Sequence, residues 1–316
     1  MIDIIKSVHG TDKPRIEVLD KGFVELWDVM PRLVEEGDTA DTAIAQAARN
    51  SYQKGTSSVN ADRGLIRYLM RHRHTTPLEM VEFKFFCSLP IIAARQMIRH
   101  RTANVNEMSA RYSVMPKDFY YPAPDEVRTQ SQQNKQKTTD TLGQENADQF
   151  IDLLKETCDK AYDDYENALA DGVCREQARM LLPVNIYTNW VWKIDLHNLL
   201  HFLALRCDSH AQYEIRVFAN AMLELIKPIC PATIEAWDDY HPMRGGMLLT
   251  RLEIEALQYT LTTLDGPSGS ACTYGLRSDN KREQNEWKEK ADKLGFLGIS
   301  ESNVPEIFNN GKEISN

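Results

Sequence analysis

Residues 99–111, RHRTANVNEMSAR, concentrate charge and hydrogen-bonding capacity in one short segment. The segment contains three arginines, a histidine, two asparagines, a glutamate and a serine, and it directly follows the mainly apolar residues 87–98. An arginine side chain stays charged and presents a planar fork of donors that binds phosphate oxygens in pairs. So much polar chemistry directly after a stretch of core character predicts a binding site for an anion.

The charge of the chain is unevenly distributed. The formal net charge is −9 over 316 residues, which argues against a nucleic-acid partner. From Arg63 to Arg111, however, nine Lys or Arg residues stand against three acidic ones, so nine minus three gives a local charge of +6. Such a local positive field favours a compact anionic ligand, for example a nucleotide or a phosphorylated cofactor. A solvated basic helix face has the same composition, and charge alone leaves that alternative open.

The first arginines of the segment are predicted to lie at the end of a helix. Pro90 fits the first turn of a helix that runs to about Arg101. Gln96, Arg99 and His100 would share a face of it, because positions three and four apart are neighbours on a helix. An amide, a guanidinium and an imidazole would then be presented together. The alternative is a charged helix end whose cations oppose the helix dipole.

Three arginines beyond this helix are candidates for further phosphate contacts. Arg111 lies ten residues after Arg101 and can return to the same pocket through the intervening loop. Arg179 and Arg206 are candidates for a second phosphate contact. For Arg179 the alternative is an ion pair with Glu176 within a single helix.

The histidines allow two other kinds of chemistry. His74 and Glu79 lie five residues apart across a proline turn, where either can carry a proton or contact a ligand. A turn histidine beside an exposed glutamate is the simpler interpretation of that pair. His197 and His201 are spaced i, i+4 on a predicted helix and could bind zinc with His210 as the third ligand. The segment lacks the glutamate of the HExxH motif.

Other patterns limit the class of protein. The sequence contains no GxGxxG, GxxxxGK[ST] or GxSxG motif, so neither a nucleotide-binding glycine loop nor a serine-hydrolase elbow is predicted. None of the six cysteines forms a CxxC pair, which indicates a reducing cytoplasm. The N-terminus lacks the apolar run of a signal peptide. No run reaches 18 apolar residues, so no membrane span is predicted.

The elements that must position these residues can be predicted from periodicity. Strands are predicted within residues 16–30, around a Lys21–Gly22 turn, and at 81–89. Early strands followed mostly by helices predict an α+β fold. The polar tract in the region 125–145 predicts a surface insertion or mobile loop. Helices are predicted over residues 41–52, 61–72, 91–101, 145–169, 173–182, 193–206, 209–227 and 249–260.

Four separated blocks of the sequence carry a family resemblance. They are HTTPLE (74–79), RQMIRHRTANVNEMSARYS (95–113), CREQARMLLPVNIYT (174–188) and LRCDSHAQYEIR (205–216). In the second block Arg99-His100-Arg101, seven intervening residues and Ser109 look like the signature of the flavin-dependent thymidylate synthases, the ThyX family. With the other blocks in the same order, the chain resembles that family over roughly residues 17–240.

The resemblance implies an architecture and an activity. The fold would be a ThyX-type α+β fold with a central antiparallel or mixed sheet and several helices, assembled as a homotetramer with shared active sites. The reaction would be methylation of dUMP to dTMP, with 5,10-methylenetetrahydrofolate as carbon donor, FAD as hydride carrier and NADPH as reductant. Residues 1–245 would form the catalytic domain, with a loop insertion at about 125–145. Residues 246–316 would be a C-terminal extension without an assigned role.

Matched residue by residue, the resemblance implies three sets of contacts and no metal site. The expected dUMP contacts are Gln96, Arg99, Glu107, Ser109, Arg111, Arg179 and Arg206. The expected FAD contacts are Ser51, Thr76, Arg99, His100, Arg101, Glu107, Asp195, His197, His201 and His210. His74 and Tyr112 would face the folate and nicotinamide side, and the expected catalytic residues are Arg206, Ser109 and His74.

The chain departs from the family pattern at a few positions near the expected flavin. Many members have serine in place of Asn104, and some have asparagine and arginine in place of Asp195 and His197. Because the family needs no covalent enzyme nucleophile, Ser109 is predicted to bind dUMP and not to attack it. Two other classes remain as alternatives: a zinc hydrolase built on the three histidines, and a non-catalytic nucleotide-binding protein.

Overall fold

The chain divides into two compact units, Met1–Arg244 and Gly245–Asn316. A computed structural model describes residues 12–33, 38–50, 59–130, 138–241, 248–264 and 281–293. Among these residues no helix is long and apolar enough to cross a membrane.

The first unit is built around a five-stranded antiparallel sheet with the strand order β1-β2-β3-β7-β4. Its strands are β1 (Arg15–Val18), β2 (Gly22–Met30), β3 (Glu82–Pro90), β4 (Asn104–Glu107) and β7 (Tyr187–Asp195). The strands predicted within residues 16–30 and at 81–89 are confirmed as β1, β2 and β3. The mixed α+β class and the antiparallel sheet are confirmed with them.

Strand β7 lies between β3 and β4 and was not predicted. All nine of its residues pair with β3, from Tyr187 opposite Pro90 to Asp195 opposite Glu82. Its sequence, YTNWVWKID, is rich in aromatic and β-branched residues, which pack well on a pleated surface. The helix predicted to begin at 193 therefore begins later, because residues up to 195 complete the sheet.

Helices cover one face of the sheet and occupy most of the remaining chain. The described helices of the first unit are α1 (Asp41–Asn50), α2 (Val59–Arg71), α3 (Ile91–Met97), α4 (Gln144–Ala170), α5 (Arg175–Ala178), α6 (Leu196–Arg206), α7 (Tyr213–Ile226) and α8 (Pro231–Tyr240). Helices α1, α2, α4 and α7 confirm the predicted ones to within a few residues. Helix α8 was not predicted.

The main core lies between the sheet and helices α6 and α7. Trp192 of β7 meets Phe202 of α6 edge-on, with ring centroids 5.1 Å apart, and Phe218 of α7 is fully buried in the same cluster. Each such side chain stabilises the fold by about 1.5–3 kcal/mol through its removal from water. The candidate site lies at the junction where α6 ends and α7 begins.

A carboxylate from the start of α1 caps a distant helix. Asp41 is buried, and its oxygens accept hydrogen bonds from the backbone N–H of Ala232 (2.7 Å), the N–H of Thr233 (3.0 Å) and the Thr233 hydroxyl (2.6 Å). Burial raises the pKa of the Asp41 carboxyl, and these three donors oppose the rise. Asp41 thus satisfies N–H groups at the first turn of α8 and ties α1 to it.

The predicted loop insertion contains a small sheet of its own. A short 3₁₀ turn at Pro124–Glu126 leads into β5 (Arg128–Gln130), which pairs antiparallel with β6 (Thr138–Thr141). The region predicted as a surface insertion or mobile loop thus carries paired strands at its two ends, where backbone pairing outweighs the polar composition. The centre of the tract, 131–137, lies outside the described residues.

The second unit contains helices α9 (Arg251–Leu264) and α10 (Lys281–Lys293). Trp287 is buried in a small cluster with Ala256. Lys290 donates to the buried carboxylate of Glu253 at 2.7 Å. The helix predicted at 249–260 is confirmed, and the charged segment that follows it in sequence carries a second helix.

Candidate functional site

The segment that carries three of the candidate arginines is a helix end, a turn and an edge strand. Helix α3 ends at Met97 and not at Arg101, so the prediction of one helical face for Gln96, Arg99 and His100 was wrong. The backbone N–H of His100 bonds to the Met97 carbonyl at 3.1 Å as the chain turns. The chain must leave the helix here because β4 starts at Asn104 and pairs with β7.

Tertiary contact nevertheless brings two of these residues to Arg206, the last residue of α6. The Arg206 Nε–H donates to Nε2 of His100 at 3.1 Å. A second guanidinium nitrogen of Arg206 donates to the backbone carbonyl oxygen of Gln96 at 3.5 Å. Burial and the nearby charge of Arg99 lower the pKa of Arg206. Three of the predicted nucleotide and flavin contacts therefore form one connected group, called here the Arg206 group: Gln96, His100 and Arg206.

The imidazole of His100 is wedged against α6. Its ring meets Phe202 edge-on with centroids 4.9 Å apart, and the ring of His201 lies 6.1 Å away. Burial, the charge of Arg206 and the neighbouring His201 lower the pKa of His100 to about 4. His100 is therefore neutral at neutral pH.

A cleft of about 1170 Å³, called here the Arg206 cleft, opens beside the Arg206 group. Gln96 and Arg206 line one part of it, and residues 209–214, which lead into α7, line another. The imidazole Nδ1 of His210, also in its lining, lies 2.6 Å from a carboxylate oxygen of Asp208. The structure thus places the predicted residues Gln96, Arg206 and His210 around one cavity.

The insertion contributes part of this cleft, which sequence reasoning missed. Val127 and Arg128 of the insertion line it together with Phe150 of α4. The guanidinium of Arg128 lies 5.9 Å from the ring centroid of Tyr213. A hydrogen bond to the Glu126 carboxylate is the main cause, and burial the second, that raise the pKa of Tyr213 to about 12. The polar composition of the tract gave no signal for this role, because only folding brings it beside α7.

A second group of predicted residues lies around Glu176 at the start of α5. The Glu176 carboxylate pairs with Arg111 Nε at 3.1 Å, and the Arg179 Nε–H donates to the Glu176 backbone carbonyl at 3.2 Å. The side-chain pair suggested between Glu176 and Arg179 is therefore absent, because Arg111 takes the carboxylate. The hydroxyl oxygen of Ser109 accepts the Arg111 backbone N–H at 3.3 Å. Ser109, Arg111, Glu176 and Arg179 are called here the Arg111 group.

The Arg111 group has a cleft of its own, of about 570 Å³, lined by Arg111, Tyr112 and Glu176 among others. Tyr112 is 78% exposed, and its backbone carbonyl accepts a hydrogen bond from Arg175 at 3.3 Å. The linings of the two clefts share no residue. Within one chain, the residues expected to bind a single nucleotide are therefore divided between two surfaces.

Glu107 lies on the edge strand β4, which pairs with β7. Its carboxylate accepts a hydrogen bond from the Thr188 hydroxyl of β7 at 2.8 Å. Glu107 is otherwise exposed to solvent. The predicted flavin residues Arg99 and Arg101 are also exposed on the neighbouring turn.

His74 and Thr76 lie between the end of α2 and the start of β3. The imidazole of His74 is 5.9 Å from Tyr68 and 6.4 Å from His72, centroid to centroid. Arg73 before it has a φ of 57°, a left-handed conformation that turns the chain out of α2. His74 and Thr76 are exposed, the latter at the start of the 3₁₀ turn Thr76–Met80. Ser51 lies outside the described residues.

Asp195 has a structural role that the sequence did not indicate. It is the N-cap of α6: one carboxylate oxygen accepts the Asn198 backbone N–H at 3.0 Å and the other accepts the Asn198 side-chain amide at 2.7 Å. Capping of this kind stabilises a helix by about 1 kcal/mol. Each carboxylate oxygen thus accepts one hydrogen bond from Asn198, and the flavin contact expected of Asp195 stays a prediction.

The zinc interpretation finds no support in the part of the chain that the structure describes. There, no three His, Cys, Asp or Glu side chains are grouped so that they could hold a metal ion. His210 bonds to Asp208 beside the cleft, while His201 faces His100. His210 and His201 therefore have different partners.

Sequence comparisons relate the chain to known enzymes. Residues 32–232 match the family model described as thymidylate synthase complementing protein. The chain is 51% identical to a flavin-dependent thymidylate synthase of Dictyostelium discoideum over 92% of this chain and 90% of that protein. It is 53% identical to a protein of the same name from Gluconobacter oxydans, over 73% of this chain and 76% of that protein.

Solved structures give the same result. A crystal structure of the UMP/dUMP methylase PolB from Streptomyces cacaoi, bound with 5-Br dUMP, superposes with a TM-score of 0.63 at 30% identity. The match covers 71% of this chain and 98% of the PolB chain. A second structure of that enzyme, bound with 5-Br UMP, superposes with a TM-score of 0.62. The family match, the identities over most of the chain and the shared fold together show that this chain belongs to the flavin-dependent thymidylate synthase family.

Proposed function

We propose that this chain methylates dUMP to dTMP, with 5,10-methylenetetrahydrofolate as the carbon donor, FAD as the hydride carrier and NADPH as the reductant. Relatives named flavin-dependent thymidylate synthase support the reaction and the flavin. The PolB structures with bromo-substituted dUMP and UMP support a uridine nucleotide as substrate. Every described residue of the proposed site lies within residues 1–245, which we propose as the catalytic domain.

The observation that carries the proposal is the Arg206 group at the edge of a large cleft. Its guanidinium is held by two uncharged acceptors, the His100 ring and the Gln96 carbonyl. In the residues that the structure describes, no carboxylate forms an ion pair with Arg206, so its charge is available to a ligand. We assign Gln96, Arg99 and Arg206 to dUMP, where the Arg206 fork stabilises negative charge that develops on the uracil ring.

The Arg111 group suits the phosphate of the nucleotide. Ser109, Arg111 and Arg179 supply a hydroxyl and two guanidinium groups, which are typical donors to phosphate oxygens. The Glu176 carboxylate forms an ion pair with Arg111 at 3.1 Å, and both side chains are more than half exposed. Solvent weakens such an exposed pair, so a phosphate dianion can replace the carboxylate. Glu107 would add a contact to the nucleoside.

The separation of the two groups supports an oligomer with shared sites. A nucleotide bound by both groups requires surfaces that one chain keeps in separate clefts. A symmetric homo-oligomer solves this by placing the Arg111 group of one subunit against the Arg206 group of another. We therefore propose the homotetramer with sites shared between subunits.

The remaining predicted residues fit the flavin side of the site. The Arg206 cleft exceeds the roughly 300–1,000 Å³ usual for one small ligand, at about 1170 Å³, so it has room for more than a nucleotide. Cationic and imidazole donors suit a diphosphate and a flavin ring. The FAD contacts proposed here are Thr76, Arg99, His100, Arg101, Glu107, His197, His201 and His210. When bound, FAD supplies the redox chemistry, and the protein supplies position and charge.

Ser51 and Asp195 differ from the other predicted FAD contacts, and His74 and Tyr112 belong to the folate side. Ser51 stays a prediction from the resemblance. Asp195 would act on the flavin through the helix that it caps. His74 and Tyr112 are exposed, as residues that meet an incoming substrate must be, and we propose them for the folate and nicotinamide side.

The decisive experiment is formation of dTMP by the purified full chain from dUMP, methylenetetrahydrofolate, NADPH and FAD. We expect a yellow protein whose flavin absorbance bleaches with NADPH, and whose bleaching rate changes when dUMP is added. Omission of each component in turn should abolish dTMP. A protein that binds dUMP but neither binds FAD nor forms dTMP would instead be a non-catalytic nucleotide-binding protein.

A further inference from the structure

The contact between Arg206 and His100 restricts the protonation state of the histidine. Guanidinium nitrogens only donate hydrogen bonds, whereas an imidazole nitrogen accepts only when it carries no proton. The Arg206 Nε lies 3.1 Å from Nε2 of His100. His100 must therefore be neutral, with its proton on Nδ1, for this contact to exist.

The surroundings of His100 maintain that state. The guanidinium of Arg206 and the imidazole of His201 face its ring, and Phe202 covers it edge-on. Arg99 adds positive charge close to Arg206. A proton on His100 would be buried among like charges, and its pKa falls accordingly to about 4.

A neutral acceptor has a particular use at this position. A carboxylate would also orient the guanidinium, but it would cancel the charge that a ligand needs. The His100 ring and the Gln96 carbonyl fix the fork and leave the charge intact. We propose that His100 is a positioning residue: it holds the Arg206 guanidinium by a neutral hydrogen bond in the orientation that binds dUMP. This role rests on the proposed function and adds to the flavin contact that the family resemblance implies for His100.

Two substitutions separate the acceptor from the ring. His100→Phe keeps an aromatic ring against Phe202 and removes the acceptor, whereas His100→Gln removes the ring and offers an amide oxygen near the Nε2 position. With the FAD-loaded protein, we expect His100→Phe to weaken dUMP binding about tenfold, as for loss of a hydrogen bond to a charged group. We expect His100→Gln to remain within about threefold of the parent protein. Calorimetric titration with dUMP measures both without turnover.

A double-mutant cycle tests whether His100 acts through Arg206. In an Arg206→Ala background, His100→Phe should cause no further loss of dUMP affinity, because residues that act through one contact are not additive. His241→Phe, a histidine at the end of α8, serves as the matched control and should leave dUMP affinity unchanged. Additive losses in the cycle, or equal losses for His100→Phe and His100→Gln, would overturn the positioning role.

The pH dependence tests the neutral state of His100 directly. The ratio of dUMP affinities of the parent protein and His100→Gln cancels the titration of the nucleotide phosphate. We expect this ratio to stay constant from pH 8 to pH 5, because His100 is protonated only near pH 4. A change in the ratio near pH 6.5, the ordinary histidine pKa, would contradict a neutral His100. Failure of the chain to make dTMP, with this coupling intact, would remove only the proposed reaction.

Discussion

Among the described residues Arg206 has no carboxylate partner, unlike several other arginines of this chain. Arg63, Arg67 and Arg49 each pair with a nearby acid, whereas Arg206 is held by a neutral ring and a carbonyl. Its charge is therefore uncompensated while its orientation is fixed. This combination costs free energy in the folded protein, and a bound anion can recover it.

Arg206→Lys should be strongly damaging although it conserves the charge. A lysine ammonium has no Nε–H donor at the position that faces His100 and cannot bind two oxygens as a fork. We expect dUMP affinity and kcat/KM for dTMP formation to fall by at least about tenfold. Arg63→Lys, which changes an exposed ion pair with Glu235, is the matched control. Wild-type kcat/KM in Arg206→Lys would contradict the assignment.

Ser109 should behave as a ligand and not as a nucleophile. The one contact of its hydroxyl oxygen to a described residue is the backbone N–H of Arg111 at 3.3 Å, with no general base beside it. We expect Ser109→Ala to raise KM for dUMP about tenfold through loss of a phosphate contact, with kcat largely kept. Intact-mass spectrometry of the parent protein with 5-bromo-dUMP should show no adduct. A nucleotide adduct on Ser109 would show covalent catalysis, and complete loss of turnover in the alanine variant would contradict a role in binding alone.

At the level of elements, the start of β2 leaves no room for a side chain at Gly22. A Cβ on Gly22 would lie 2.9 Å from the Val18 carbonyl oxygen, 3.0 Å from that of Ser88 and 3.1 Å from the Phe218 ring. The absence of a side chain therefore lets β1, β3 and α7 meet there. Because α7 starts at the Arg206 cleft, this contact supports the site from a distance.

Gly22→Ala should destabilise the first unit and Gly64→Ala should not. The alanine methyl at position 22 would press on backbone atoms that cannot move aside, so we expect a loss of about 1–3 kcal/mol in the free energy of unfolding. Gly64, inside α2, has no atom within 4 Å of a built Cβ, and alanine there should stabilise by about 0.5–1 kcal/mol. Thermal unfolding of both variants measures the difference. Equal melting temperatures for the two would contradict this packing.

At the level of the whole molecule, two inactive variants should restore activity when mixed. Arg206→Ala leaves the Arg111 group intact, and Arg111→Ala leaves the Arg206 group intact. If subunits share sites, about a quarter of the sites in randomly mixed oligomers contain both intact groups. We expect dTMP formation after joint refolding or co-expression, and none from either variant alone. As the control, an Arg206→Ala/Arg111→Ala double variant mixed with Arg206→Ala should stay inactive. Inactivity of the first mixture, with mixed oligomers demonstrated, would place each site in one chain.

The family, the α+β class and most helices could be predicted from the sequence, because they depend on local patterns. The period of apolar residues in α4 and the motif from Arg99 to Ser109 are both readable along the chain. Strand β7 could not be distinguished from the start of a helix, since its apolar residues are buried by neighbours that come from distant parts of the sequence. The caps made by Asp41 and Asp195 were missed for related reasons: the first is distant in sequence, and the second depends on where β7 ends.

Residues 99–111 show what the sequence determines and what only the tertiary structure determines. Their types alone indicated an anion site, and their resemblance to a family indicated which anion. Only the tertiary structure decided that α3 stops at Met97, that Arg206 reaches back to His100, and that Arg111 turns away to Glu176. Residue identity is a property of the chain, and it determines which bonds a side chain can make. Which bonds it does make depends on strands and helices that are remote in sequence, because hydrogen bonds and ion pairs act only over a few ångströms.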